Sequence, residues 1–451
     1  MSTPGLVEPM TGAPSLPHYE DIFDPAVHLN YVPPKKRFSM EELHLPIGEG
    51  TSPIAGTVPF PLLSTEGIRA YRKAMFQQKV VSKCSSSPFP GTLVLRDAVK
   101  YSNFVKDFWT HPETMRIVSE AAGVPLEIVM PTEIGHTNIQ VHGSTVDDMK
   151  KNLQIEPYSE KVELSAADRA YDPLKDSSAI IPWHYDSYPY VCVLMLSETD
   201  GMIGGETYIR KGDGSTQKVE GPQIGHAVIL QGGEVEHLAA RAKGVKERIS
   251  TITSYRSRSP TVYDSSFMTN IRPYADLKSL YPEWTQYRLR KLKDEIVYHL
   301  QRIEKEPTEA QNTQGLETFV QSQISYLQQT LRQMIAPEYE EKTIGRFGRS
   351  AYYDAPKIWE KVQSLPEFEQ LASSADNSRL WYPDSEYWMD LQASTELIRL
   401  KKPLKGALGS NTWAGRRYYM GDELLRQGLN EVFLDWLDHT GLWQNYSESC
   451  T

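Results

Sequence analysis

A chain of 451 residues and 51.2 kDa has material for one large catalytic domain with insertions, or for a catalytic domain beside a smaller helical one. With 39% hydrophobic and 24% charged residues, a formal charge of -10 and a pI near 5.7, it has the make-up of an ordinary soluble protein, and the acidic balance argues against a general nucleic-acid binder. Three scattered cysteines, Cys84, Cys192 and Cys450, exclude a disulfide scaffold or a cysteine metal cluster, and no apolar stretch has the length of a membrane span. Short basic runs such as Lys35-Lys36-Arg37 read as solvated faces. The start, Met1 to Pro17, shows no basic segment followed by an apolar one, so the expected location is the cytoplasm.

Residues 1–60 are rich in proline and glycine and read as an N-terminal surface arm. The spacing of Ile68, Tyr71, Met75 and Phe76 predicts a helix over Ser64 to Lys79, with Ser64 as cap. Further helices are expected over Asp97 to Trp109 and His111 to Ala122, the second ended by Gly123. The middle of the chain then changes to short alternating runs. Strands are predicted over Leu126 to Met130, Gly135 to Val141, Tyr190 to Leu196, Glu206 to Arg210, Ala227 to Leu230 and Ile249 to Tyr255. Together these predict an α+β fold with a double-stranded β-helix core (a jelly roll, cupin-like) over residues 61–260, supported by N-terminal helices. Residues 261–451 read as mainly helical. Glu283 to Glu304 and Leu316 to Ile335 form an expected antiparallel hairpin, with further helices around Ala355 to Leu365 and Glu423 to His439. This region braces the barrel or offers a face for a homodimer.

The segment Ile181-Pro182-Trp183-His184-Tyr185-Asp186 carries the chemistry. On an extended segment, residues two apart point to the same side, so His184 and Asp186 can share one metal. His237, after Gly232-Gly233, is the preferred third ligand over His226 and His136, while His142 reads as a polar residue at a strand end. Two imidazoles and a carboxylate form the facial triad of non-haem Fe(II); zinc takes the same set, usually for hydrolysis. Arg248 favours iron, because a guanidinium past the last ligand can grip the distal carboxylate of 2-oxoglutarate, with the Ser250 hydroxyl alongside. Asn138 and Gln140 share one face of an earlier strand and either reach cosubstrate or bridge layers. Trp183, Tyr185, Tyr188 and Tyr190 either line a substrate pocket or pack the barrel mouth, and Glu206 bonds within the pocket or pairs outside it. Replacing the Asp186 carboxylate would open a position for halide, so its presence points to oxygenation.

In order and rough spacing, His184-Tyr185-Asp186, His237 and Arg248-Ile249-Ser250 resemble the Fe(II)- and 2-oxoglutarate-dependent dioxygenases. Gly204-Gly205-Glu206-Thr207 looks like the Gly-Gly-Glu-Thr segment of prolyl 4-hydroxylase-type barrels, which carry lysine where this chain has Arg248. The stretch from Pro59 to Ser259 resembles a fungal group of such oxygenases. The resemblance implies dioxygen as cosubstrate, release of succinate and CO2, and oxidation of an unactivated C–H bond, with hydroxylation as the default outcome. A small molecule of secondary metabolism is the expected substrate, with a peptide or protein side chain as the alternative. A metal-dependent hydrolase and a nonenzymatic scaffold are the competing classes.

Overall fold

The computed structural model describes residues 22–47, 52–87, 91–143, 145–174, 181–262, 264, 266–268, 271, 272, 275–306 and 312–334. Up to residue 128 the elements are α1 Pro25–His28, β1 Arg37–Ser39, β2 Ile54–Thr57, β3 Phe60–Pro61, α2 Thr65–Met75, α3 Gln78–Cys84, β4 Ser85–Ser86, β5 Leu93–Leu95, α4 Asn103–Thr110, α5 Pro112–Ala122 and β6 Leu126–Ile128. Then follow β7 His136–Val141, α6 Val146–Lys151, α7 Ala166–Arg169, β8 Ile181–His184, β9 Tyr190–Met195, β10 Thr207–Arg210, β11 Thr216–Val219, β12 His226–Leu230, β13 His237–Ala239, β14 Glu247–Ser257, α8 Leu277–Lys305 and α9 Thr313–Arg332.

The strands form two antiparallel sheets. The larger has ten strands, with the path β1-β2-β12-β9-β14-β7-β5-β4, β3 pairing with β12 and β6 with β14; the smaller runs β11-β10-β13-β8. One face of the large sheet packs on α2, α4 and α5 through Ile68, Tyr71, Phe108, Trp109, Ile117, Cys192, Leu194 and Ile249. Its other face meets the small sheet, where Val191, Leu230 and Ile252 pack with Ile209 and Val219. Covered on both sides, β14 is buried at every position.

These sheets correct the expected jelly roll. Both are open: β8 and β11 are the edges of the small sheet, β1 and β4 those of the large one, and among the described residues no closed double-stranded β-helix forms. Alternation of apolar and polar residues looks the same in an open and a closed sheet, because closure depends on register and tilt. Here β13 is occupied by β10 and β8. Among the described residues, no ladder joins the two sheets.

Local chemistry explains the helices that were legible. The Ser64 hydroxyl accepts from the Gly67 N–H to start α2, and Pro112 opens α5. Gly123 ends α5 at φ 69°, where a Cβ would lie 2.3 Å from the Ile54 side chain. The expectation for α8 began after Pro282, but the helix starts at Leu277 and runs through the proline. Asp276 caps it by accepting from Lys278 N–H, and Leu280 and Trp284 lock the first turns against Val129, Met130 and Tyr188. Helices α8 and α9 form the hairpin, with Leu316, Val320, Ile324, Leu327 and Leu331 of α9 exposed. The helices expected around residues 355–365 and 423–439 lie outside the described residues. Among the described residues, no helix is long and apolar enough to cross a membrane.

Candidate metal centre

Cross-strand pairing brings the two histidines together. His184 ends β8, His237 opens β13, and the two are direct partners in the ladder, with ring centroids 4.3 Å apart. Just past β8, the Asp186 N–H donates to the Gly232 carbonyl at 2.9 Å, which turns the carboxylate back toward both rings. Asp186 Oδ1 lies 3.6 Å from His184 Nε2, and Oδ2 lies 3.6 Å from His237 Nε2. The potential ligand atoms all fall within 4.8 Å of one another.

The surroundings suit a cation. His237 Nδ1 sits 2.9 Å from the Val235 carbonyl, so it carries the proton and donates, leaving the Nε2 lone pair toward Asp186. Burial pushes the His237 imidazole down to about 4, so it is neutral at pH 7. Burial works against the Asp186 charge too, yet His237 and His184 hold its carboxyl below the usual range. Asp186 Oδ2 is buried and has no hydrogen-bond partner, which leaves it open to a bound ion. Space is kept for that carboxylate by Gly232, where a Cβ would come 1.8 Å from Oδ2. A buried N2O donor set of this kind fits Fe(II) and equally accepts zinc.

Arg248 lies on β14, a strand held against the helical layer by a buried ion pair. Neighbouring Glu247 meets Arg72 of α2 at 2.8 Å, and Arg72 also donates to the carbonyls of Gln154, Ile155 and Leu196. Alternation then sends Arg248 to the opposite face, toward the small sheet. Its Nη2 and Nε donate to the Gly205 carbonyl at 3.0 and 3.3 Å, and Nη1 donates to Ser250 Oγ at 3.2 Å. Burial draws its pKa down to about 10, with Glu206 opposing, so it remains charged at neutral pH. No carboxylate pairs with it among the described residues. A buried cation bonded only to neutral oxygens is prepared for an anion.

The other residues singled out in the sequence fall in different places. Asn138 and Gln140 share the Arg248 face of the large sheet, opposite Ser250 and Arg248 respectively, and Gln140 Oε1 accepts from the Ala242 N–H. Glu206 Oε1 pairs with Lys218, while Oε2 is buried without a partner. Trp183 lies under the Arg210 guanidinium, 4.4 Å from its ring centre. Tyr185 is half-buried between the ligands, Tyr188 is buried beside α8, and Tyr190 points into the helix-facing core. His226 is outside the ligand cluster, and His142 packs on Tyr158. His136 is also outside it, 3.9 Å from Glu133. Sequence reasoning passed over Arg96, Glu133 and the Arg72–Glu247 pair. Arg72 did leave a signal, a charge set within the apolar stripe Ile68, Tyr71 and Met75; Arg96 and Glu133 left none.

No family model and no curated protein matches the chain. Among solved structures it is similar to an oxidoreductase of the 2OG-Fe(II) oxygenase family from Burkholderia pseudomallei, at 12% identity and TM-score 0.29, covering 44% of this chain and 81% of that one. It is also similar to a prolyl-4-hydroxylase from Pseudomonas putida, at 15% identity and TM-score 0.24, over 43% of this chain and 86% of that one. A third is HygX from Streptomyces hygroscopicus with nickel, 2-oxoglutarate and hygromycin B bound, at 15% identity and TM-score 0.27, over 45% and 83%. At these identities and TM-scores the likeness carries no argument. The class of the site comes from its own residues: two buried histidines and a half-buried carboxylate grouped so that they could hold a metal ion.

Proposed function

We propose that the chain is an Fe(II)- and 2-oxoglutarate-dependent oxygenase that oxidises an unactivated C–H bond of a small molecule. The observation that carries this reading is the orphaned Asp186 Oδ2 between His184 and His237, in a fold that also buries Arg248 with no carboxylate hydrogen-bonded to it among the described residues.

In this reading His184, Asp186 and His237 hold the metal. Bound there with 2-oxoglutarate and dioxygen, iron supplies oxidative decarboxylation to succinate and CO2 together with the oxidising equivalent for the C–H bond. The protein's part is positional. Val235 fixes the His237 tautomer, and the Gly232 carbonyl fixes the Asp186 backbone. Arg248 and Ser250 take the far carboxylate of the cosubstrate, whose negative charge replaces the neutral contact to Gly205 with a charge-assisted one. Asn138 and Gln140, on the neighbouring strand, border the same space.

The test is succinate formation from 2-oxoglutarate by the full chain with Fe(II), with and without candidate substrates. Wild type should form succinate even without substrate, slowly; His237→Ala should lose it, and Arg248→Ala should require far more 2-oxoglutarate. Absence of succinate from wild type under every condition, or zinc-dependent hydrolysis in its place, overturns the reading.

A further inference from the structure

Beside the three ligands lies a second group of buried polar side chains that takes no part in holding metal or cosubstrate. Arg96 follows β5, Glu133 closes a short 3-10 turn, His136 opens β7, and Tyr188 lies between Asp186 and β9. Arg96 Nη1 donates to Glu133 Oε1 at 2.5 Å; Glu133 Oε2 accepts from Ser254 Oγ at 3.3 Å and lies 3.9 Å from His136 Nδ1. Three further polar atoms here, Arg96 Nε, His136 Nδ1 and Tyr188 OH, are buried with no hydrogen-bond partner, as is Asp186 Oδ2. The charge of Asp186 reaches His136, and those of Glu133 and Arg96 reach Tyr188, so the four elements converge on one region next to the metal ligands.

The strand face shared with Arg248 gives this region its place. Gln140 stands opposite Arg248, Asn138 opposite Ser250 and His136 opposite Ile252, with Ser254 next on the same side. From Arg248 to Ser254 the face runs roughly 20 Å, at about 3.3 Å per residue. The anion-ready arginine therefore marks one end and the orphaned group the other. Cosubstrate held by Arg248 leaves the His136 end for a second molecule.

Several unpaired buried polar atoms are rare in a native protein unless a ligand or water completes them. Their chemistry also restricts the ligand. Arg96 and Glu133 pair with each other, and in the oxygenase reading Asp186 is given to the metal, so a charged ligand would find no unpaired counter-charge here. What remains suits a neutral oxygen: the Arg96 N–H donates, Tyr188 donates or accepts, and His136 Nδ1 offers a further hydrogen-bond partner.

We propose that Arg96, His136 and Tyr188 form the substrate-positioning subsite of this centre, where they take an uncharged hydroxyl or carbonyl group and so set a neighbouring C–H bond toward the metal. The inference rests on the oxygenase reading. The subsite separates small molecules by charge, accepting alcohols, phenols and ketones ahead of carboxylates or amines of similar shape.

The experiment uses the full chain loaded with Mn(II), redox-inert and paramagnetic, and with 2-oxoglutarate. Phenol and benzoate serve as probes that share a ring and differ in charge, and proton relaxation of each is measured. Wild type should shorten phenol relaxation times saturably and leave benzoate almost unaffected, while His237→Ala abolishes the effect with the metal. Tyr188→Phe, which removes one oxygen, should weaken phenol binding roughly two- to tenfold, the loss expected for one hydrogen bond, without changing Mn(II) affinity. His136→Leu should do the same. Mn(II) binding with no phenol effect, with a preference for benzoate, or with a phenol effect unchanged in Tyr188→Phe overturns the subsite and leaves the metal centre standing. Failure of wild type to bind Mn(II) overturns the oxygenase reading and the subsite with it.

Discussion

Single atoms decide what this centre can hold. Gly232 is the clearest case, because any side chain there would occupy the space of Asp186 Oδ2. Gly232→Ala should displace the carboxylate without unfolding the chain, lowering metal affinity by about 10–100-fold, the range seen when groups that orient ligands are lost. A metal titration followed by circular dichroism checks both halves, and unchanged affinity would show that Asp186 is not a ligand. Arg248 poses the complementary question about charge and shape. Arg248→Lys keeps the charge and loses the planar fork, so KM for 2-oxoglutarate should rise by about 10–100-fold, as for one or two charge-assisted hydrogen bonds, with kcat changing less. Steady-state succinate assays over a 2-oxoglutarate series separate the two constants. His184, Asp186 and His237 were legible as a set because two-residue spacing and a glycine pair before a histidine are visible in the chain. Arg96 and Glu133 were not, since an arginine after a three-residue strand and a glutamate in a turn look like surface residues until the fold buries them.

Elements became legible in proportion to their length and their end signals. Helix α5 has proline at its start and glycine at its end, β7 alternates cleanly over six residues, and β9 is a six-residue apolar run. By contrast β8, β11 and β13 have four, four and three residues, too few to show a period, yet two of them present the histidines. That is why the residues that the structure groups together could be read while the open small sheet could not. Another feature of the elements was hidden by residue type: α2 and β14 are joined by Arg72 and Glu247, with side-chain exposures of 0 and 1%. Removing one member of such a pair leaves the other charged in a dry interior. Arg72→Met should therefore destabilise the chain by about 3–5 kcal/mol, measured as the shift in urea midpoint. The double variant Arg72→Met, Glu247→Leu should recover much of that loss. A single variant as stable as wild type would show that the pair does not anchor β14.

Across the whole molecule, one buried carboxylate ties the two helices of the hairpin to each other, beside the sheet that carries the site. Asp264, immediately beyond the β14 region, accepts from Tyr287 Oη at 2.7 Å, Ser266 Oγ at 2.5 Å, Arg288 Nη1 at 3.1 Å and Tyr326 Oη at 3.0 Å, so it touches both α8 and α9. Tyr188, Trp284, Leu280 and Met130 form a core shared by the hairpin and the rest of the chain, and Tyr188 is itself part of the proposed substrate subsite. Burial opposes the Asp264 charge, but Arg288 and then the hydroxyls of Ser266 and Tyr287 outweigh it, holding the carboxyl below its usual 3.8. A carboxylate depressed in the folded state binds its proton more readily when unfolded. Its contribution is therefore complete above the usual value, falls as the pH drops below it, and is gone below the lowered folded value. The hairpin should thus loosen in acid before the sheets do, seen as tryptophan fluorescence from Trp284 changing at a higher pH than far-ultraviolet signal from the strands. Asp264→Asn should remove that acid step and, by leaving Arg288 buried without its partner, cost about 3–5 kcal/mol at neutral pH. If wild type and Asp264→Asn lose the Trp284 signal at the same pH, the carboxylate is not what joins α8 to α9.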